Sequence, residues 1–347
     1  MTGRQRVMSV LEGREPDRMP FYLSCYPEVR KTVAAAHSIA EDGIADFYGT
    51  DAARTSPALR GKMTVENEYA DIFGNVSRTV TVNGFTESAV YKRALDGVRD
   101  IDGLDGISWP DETSLDRELS LSVVREARGT GRCVYGGVWA SIFTQPRHMV
   151  GEIEFLSGMY ENPEFIKEVV RRVTNSYLKI NRAYMELCGE YIDIYYFGSD
   201  FATQKSMFIS PEMFGEFFAP EMKRIIDQAK GYGKMVMYHC CGNVTPILDK
   251  LIEIGVDIIE PVQVSADGMS PREIAAKYKG RIMFHGGVSS QVTFTTGSPA
   301  DVYDETMRAI DTLGPLGYVP APDHELIGAV TAENVDAFVR AVKDYKF

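Results

Sequence analysis

Residues 234–262 read KMVMYHCCGNVTPILDKLIEIGVDIIEPV, and this stretch decides the fold. Residues 234–239 form a short apolar run that reads as a strand. Thr245-Pro246 then opens a helix, proline at a first helical position having no useful amide to lose. Gly255 ends that helix. Residues 256–262 are again β-branched and apolar, the signature of a second buried strand. Strand, helix, strand is the signal for a parallel sheet with crossover helices.

The same rhythm extends outward. Upstream, residues 191–197 (YIDIYYF) read as a strand, followed by a helix with Ser210 as N-cap and Pro211 at its first position, kinked or split at Pro220. Downstream, Ser270-Pro271-Arg272-Glu273 has the form of a capping box, with Glu273 placed to bond the Ser270 amide. Residues 281–285 and 317–321 read as further strands, separated by a helix from Ser298-Pro299 to Gly314. A last helix spans 333–345. In the less regular first half, residues 19–24 and 133–139 look like strands of the same sheet. The pattern predicts an α/β fold, a (β/α)₈ TIM barrel in a single domain over 1–347. Residues 71–93 alternate around Asn83-Gly84, which predicts a β-hairpin inserted over the barrel mouth. A doubly wound open sheet is the rival, but no G-x-G-x-x-G follows a strand.

The chain has 347 residues, 44% hydrophobic and 25% charged, enough for a core that needs no disulfide or structural metal. Its 49 acidic against 37 basic residues give a net charge of −12, which argues against a nucleic-acid surface. Five scattered cysteines do not make a secreted disulfide framework. The first residues lack the apolar run of a signal peptide, and no stretch has the length and apolarity of a membrane span. A reduced cytoplasm is the expected setting.

Active sites of (β/α)₈ barrels lie at the carboxyl ends of the strands. The expected strands end in Trp139, Asp200, His239 with Cys241, Glu260, His285, and Asp323 with His324. Polar residues follow strands wherever loops begin, which accounts for one or two of these but not for nearly all. The sharpest feature is His239-Cys240-Cys241-Gly242. Alternation puts His239 and Cys241 on one side and Cys240 on the other. An imidazole and a thiolate at a barrel rim suit Zn²⁺, and the helix near Thr245 would turn its positive end toward the thiolate. A buried cysteine beside a hydrogen-bonded histidine fits the same pattern, so both readings stand on spacing alone. Cys25, Cys133 and Cys188 have no close partners and read as small apolar fillers.

These residues resemble the uroporphyrinogen decarboxylase superfamily, and within it the corrinoid-dependent methyltransferase branch. The resemblance is carried by residues 198–214 (GSDFATQKSMFISPEMF), 238–243 (YHCCGN), 251–271 (LIEIGVDIIEPVQVSADGMSP), 284–291 (FHGGVSSQ), 317–324 (GYVPAPDH) and 331–334 (TAEN). Residues 11–20 (LEGREPDRMP) also look like that family's opening. The arginine-rich segment that grips porphyrinogen carboxylates is replaced here by FYLSCYPEVRK, which points away from a tetracarboxylate substrate. The methyltransferase branch carries H-x-C for zinc, matched by His239 and Cys241. Its third ligand is usually a cysteine after the last strand, and here His324 falls at about that place.

The resemblance therefore implies a zinc-dependent enzyme with one Zn²⁺ per chain, held by His239, Cys241 and His324. It would move a methyl group between a corrinoid, methylcobalamin or its carrier protein, and a thiol, pterin or methoxy substrate. Glu260 and His285 would serve as acid–base or supporting groups, and Trp139, Tyr196 and Asp200 would orient substrate. The expected partners are a corrinoid protein docking at the barrel mouth and a small methyl donor or acceptor, with a homodimer as the default assembly. Two competitors stand beside this reading. One is a metal-free lyase acting on a carboxylated substrate, in which Asp200 or Glu260 stabilises a cationic intermediate. The other is a non-catalytic corrinoid-binding relative.

Overall fold

In the computed structural model, which describes residues 1–65, 68–82 and 85–347, the apolar runs become short parallel strands. The strands are β1 (Ala52–Thr55), β2 (Lys62–Val65), β3 (Glu68–Ala70), β4 (Val76–Val82), β5 (Phe85–Lys92), β6 (Cys133–Gly136), β7 (Ile194–Gly198), β8 (Met235–His239), β9 (Ile258–Val262), β10 (Met283–Val288) and β11 (Tyr318–Pro322). One seven-stranded parallel sheet runs in the order β1-β6-β7-β8-β9-β10-β11, and β2 to β5 form a four-stranded antiparallel sheet. The helices form where the caps predict them. Ser210 accepts from the Met213 amide, and the helices Pro211–Phe217 and Ala219–Gly231 are split beside Pro220. The helix Thr245–Ile254 ends at Gly255 in the left-handed region. At Ser270 the expected box is altered: its hydroxyl accepts from the Glu273 amide but donates to the Glu273 carboxylate, which leaves the Ser270 amide alone.

The expectation of eight regular strands is not met among the described residues. Residues 19–24 form no ladder, and Pro20 has no amide hydrogen to give one. The segment instead lies extended between the two sheet edges. The Asp51 amide donates to Phe21 O (3.0 Å), the Tyr22 amide donates to Pro320 O (3.1 Å), and Cys25 makes an isolated parallel bridge to Leu326. The sheet thus curls round until β1 and β11 are joined through one irregular stretch of chain. Residues 133–139 are likewise a strand only as far as Gly136, with Trp139 in the loop beyond.

Two cores result. The outer faces of the strands pack on the helices, while the lumen holds Ala52, Cys133, Tyr135, Ile194, Tyr196, Met237, Ile258 and Val319. The same inner cluster contains Val7, Val10 and Leu11 from the helix Gly3–Leu11, which stops the amino-terminal end of the lumen. The opposite end is left for polar residues.

The hairpin expected over 71–93 is present as β4 and β5, paired antiparallel from Val76↔Lys92 to Val82↔Phe85, and β2 and β3 extend the same sheet back to Lys62. The expected turn at Asn83-Gly84 lies outside the described residues. Asp71 anchors the base of this sheet: its carboxylate accepts from the Phe73 and Asn75 amides at 2.9 Å each and from Gln145 at 3.0 Å. Among the described residues no helix is long and apolar enough to cross a membrane.

Asp51 fastens the irregular stretch to β1. Its buried carboxylate accepts from Arg18 (2.7 and 3.0 Å), from Arg6 (3.1 Å) and from the Phe21 amide (3.1 Å). Removing it leaves Arg6 to Asp17, Arg18 to the Met19 and Gly49 carbonyls, and the buried Phe21 amide without its carboxylate partner. Asp51→Ala is therefore expected to lower unfolding free energy by about 3 kcal/mol or more, measured by urea denaturation. A loss below about 1 kcal/mol, the scale of a surface pair, would show that closure does not depend on this carboxylate.

Candidate metal centre

The polar end of the lumen is assembled by strand register. On β8 and β9, His239 lies opposite Glu260, and on β7 and β8, Gly198 lies opposite His239. Partners in a parallel ladder project to the same face, so His239 and Glu260 meet inside. His239 Nδ1 donates to Glu260 Oε2 at 2.5 Å, and the Tyr196 hydroxyl donates to the same oxygen at 2.9 Å. The other ring nitrogen, Nε2, lies 3.4 Å from Cys241 Sγ and 3.5 Å from Asp200 Oδ1. The Cys241 amide donates to Asp200 Oδ1 at 2.8 Å, which ties the loop after β7 to the loop after β8. One ligand atom each from Asp200, His239 and Cys241 all fall within 4.8 Å of one another.

Two glycines make room for this. Gly242 has φ +88, and a Cβ there would meet Thr203 O at 2.4 Å, so the turn after Cys241 needs glycine on both counts. A Cβ on Gly198 would lie 2.6 Å from His239 Cβ and 2.7 Å from the Trp139 ring. Trp139, 40% exposed at the mouth, sits against His239 and Tyr196 with ring centroids 5.2 and 5.5 Å away. Cys240 points the other way into the outer core, where its sulfur accepts from the Phe201 amide at 3.4 Å.

Electrostatics follow the geometry. Burial disfavours a charged His239, but the Glu260 carboxylate and the Cys241 sulfur outweigh it and hold the imidazole well above its ordinary pKa. Burial pushes Glu260 up, yet the charge of His239 and the bonds from His239 and Tyr196 bring it down to about 2. Cys241 is raised by burial, with His239 opposing. The first amide of the helix beyond Cys241, Thr245 N–H, donates to Asn243 Oδ1 at 3.2 Å.

Of the residues expected at the site, the structure brings together Trp139, Tyr196, Asp200, His239, Cys241 and Glu260. His324 is not a member of the three-residue group; its Nδ1 lies 3.0 Å from the Glu325 carbonyl oxygen. His285 is buried between the rings of Tyr22 and Tyr135 (5.5 and 5.8 Å), with neither nitrogen hydrogen-bonded. Burial lowers its pKa to about 4. Arg54, Tyr22 and Glu325 belong to the same lumen and mouth but were not found by reading strand ends. Arg54 stands on a strand of four residues, AART, whose composition gives no strand signal.

The lining can be compared with known proteins. A profile of the uroporphyrinogen decarboxylase (URO-D) family matches residues 91–345. The chain belongs to that family. It is similar in structure to a methyltransferase from Methanosarcina mazei, with a TM-score of 0.71 and 19% identity over 99% of this chain and 98% of that one. A sugar phosphate isomerase/epimerase from Parabacteroides distasonis is more distant, with a TM-score of 0.44 and 11% identity over 95% and 97% of the two chains. A D-psicose 3-epimerase, with a TM-score of 0.37 and 11% identity, covers 65% of this chain and 75% of its own. No curated protein sequence matches the chain. For this URO-D family member the fold is thus shared with the first of these structures along its whole length.

Asp323, next to His324, shows what an unpaired carboxylate costs at this rim. It is fully buried, Oδ1 accepts from the amide and hydroxyl of Ser290 (2.8 and 2.6 Å), and Oδ2 has no partner. Burial raises its pKa from 3.8 to about 6. The folded state then holds the proton more tightly than the unfolded one, so the stability this gives is complete below about pH 4 and is lost as pH rises through about 6. Asp323→Asn keeps the Ser290 contacts without the charge. It is expected to raise the unfolding free energy near pH 8 by roughly 3 kcal/mol at most, with the gain shrinking toward pH 4. A pH-independent effect in calorimetry would rule out this account.

Proposed function

We propose that this URO-D family member is a zinc-dependent methyltransferase, moving a methyl group between a corrinoid and a small thiol, pterin or methoxy compound. The observation that carries the reading is the surround of His239 Nε2. Zinc bonds of ~2.0–2.1 Å to nitrogen and oxygen and ~2.3 Å to sulfur give tetrahedral edges of about 3.3–3.6 Å. The 3.4 Å and 3.5 Å separations to Cys241 and Asp200 match such edges. Glu260, bonded to Nδ1, fixes the tautomer and ring plane as carboxylates behind metal-bound histidines do. The residues present therefore fit the ion, with Asp200 taking the third position in place of His324.

When bound, the ion would supply a Lewis-acid centre with one open position for the group that gains or loses the methyl. The chain's own residues do the rest. Glu260 and Tyr196 hold the proton on Nδ1 and keep Nε2 turned to the group. Trp139 presents a flat face at the mouth to orient a substrate, with the buried Tyr196 ring packed behind it. His285, neutral in its buried slot, lies near enough to Glu260 to feel its charge and is the remaining acid–base candidate. The similar structure from Methanosarcina mazei bears the name methyltransferase, which favours this reading over a lyase. A separate corrinoid protein is the proposed partner at the mouth, and a reduced cytoplasmic setting suits five free cysteines.

Metal analysis of the purified chain tests the proposal. One zinc per chain is expected, lost in Cys241→Ser and His239→Ala and retained in His324→Ala. Glu260→Gln should weaken zinc affinity by about 10- to 100-fold. Thiol-dependent demethylation of methylcobalamin, followed by its visible spectrum, should track zinc content. Metal-free protein with full decarboxylase activity would establish the lyase instead, and zinc binding that needs His324 rather than Asp200 would overturn the ligand set.

A further inference from the structure

The lumen beside the metal group is lined by aromatic rings and carries one guanidinium that the ligand set does not use. Arg54 follows Ala52 on β1 by two residues, and Ala52 faces the lumen. Strand alternation therefore carries Arg54 toward the same interior at the carboxyl end. Its guanidinium carbon lies 5.8 Å from the centroid of Tyr196, the tyrosine bonded to Glu260. Nη2 donates to Glu325 Oε1 at 2.9 Å, and that oxygen also accepts from the Ser24 hydroxyl at 2.7 Å. Among the described residues the Arg54 guanidinium makes no other hydrogen bond.

A guanidinium offers five N–H donors in a planar fork that matches both oxygens of a carboxylate. Here one donor meets one shared oxygen, and both partners are open to water, Arg54 at 38% and Glu325 at 30% exposure. Such a pair is weakly held and readily exchanged. The surroundings otherwise repel anions, with Glu260 and Asp200 close by and a net charge of −12 on the chain. An anionic ligand enters such a field only where a local cation offsets it. Arg54 supplies that charge, and Trp139, 40% exposed and packed on the buried Tyr196 at 5.5 Å, supplies a flat apolar face.

We infer that Arg54 determines specificity for a small aromatic carboxylate, whose carboxylate group displaces Glu325 from the guanidinium while its ring packs against Trp139. The ligand's other end then faces Asp200, His239 and Cys241. The inference rests on the methyltransferase reading for the chemistry at that end, but binding itself requires neither metal nor corrinoid. Glu325 acts as an internal carboxylate that an entering ligand must replace.

The probes are benzoate and benzamide, which share a shape and differ in charge, titrated calorimetrically into the full chain with and without added zinc. Wild type is expected to bind benzoate about tenfold or more tighter than benzamide, the range of a charge-assisted hydrogen bond. Arg54→Met should erase that preference and leave benzamide affinity unchanged, and Arg54→Lys should restore only part of it. Glu325→Gln should tighten benzoate by removing its competitor, whereas a purely structural ion pair predicts no gain. Equal affinities in wild type, no benzoate binding, or a preference that survives Arg54→Met would overturn the inference. So would weaker benzoate binding in a folded Glu325→Gln. Zinc retained without any benzoate preference defeats this inference alone; a benzoate preference in a chain that binds no zinc leaves it standing and defeats the metal reading.

Discussion

The pairing of His239 with Glu260 across β8 and β9 is the constraint on which the site depends. Both residues sit one strand apart at the same level of a parallel ladder, so neither can turn away without breaking the sheet. The carboxylate keeps a proton on Nδ1, so Nε2 is the nitrogen turned toward Cys241 and Asp200, and it would offer a lone pair to a metal on giving up its own proton. A one-residue slip of β9 would send Glu260 to the helix side and bring an apolar neighbour inside. The apolar residues Ile258, Ile259 and Val262 are buried on both faces of β9, which makes the register costly to change.

That register works because the lumen is graded from one end to the other. Near the amino ends, the helix Gly3–Leu11 and the inner residues of each strand exclude water. Two residues further along β1, β7, β8, β9 and β10 the inward positions become Arg54, Tyr196, His239, Glu260 and His285. The hydrophobic lower layer keeps this polar layer poorly hydrated, which strengthens every charge interaction in it. The low pKa of His285 and the raised pKa of Asp323 are two outcomes of one cause, burial without a counter-charge within bonding distance.

Most of the second half of the fold was legible in the sequence because its signals are local. Proline at a first helical turn, glycine at a helix end and β-branched runs each act over a few residues, and β7 to β11 fall where those signals put them. The first half failed for the opposite reason. β1 is built from Ala-Ala-Arg-Thr and exists because β6 pairs with it, a non-local cause that composition does not record. Residues 19–24 have strand composition, but Pro20 and the hydrogen bonds to two different edges prevent a ladder. In the site, His239, Cys241 and Glu260 were visible as strand ends, and their convergence follows from alternation alone. Asp200 was visible as a strand end too, but its place beside His239 Nε2 was not, since it lies 41 residues from Cys241 in sequence and is held there by a main-chain hydrogen bond.

The proposed replacement of His324 by Asp200 as third ligand has a physical logic. His324 follows Asp323, whose side chain is buried and bonded to Ser290, and its own Nδ1 lies against the Glu325 carbonyl. Swinging its ring toward His239 would require breaking that contact at a rim already fixed by Asp323. Asp200 needs no such movement, because the Cys241 amide already holds its Oδ1 beside Nε2. A carboxylate and a thiolate also balance the two charges of a zinc ion, which a second neutral imidazole does not. In the proposed ligand set, Asp200 therefore combines the lower reorganisation cost with the better charge match, and His324 is left to position Glu325, the residue that faces Arg54 across the mouth.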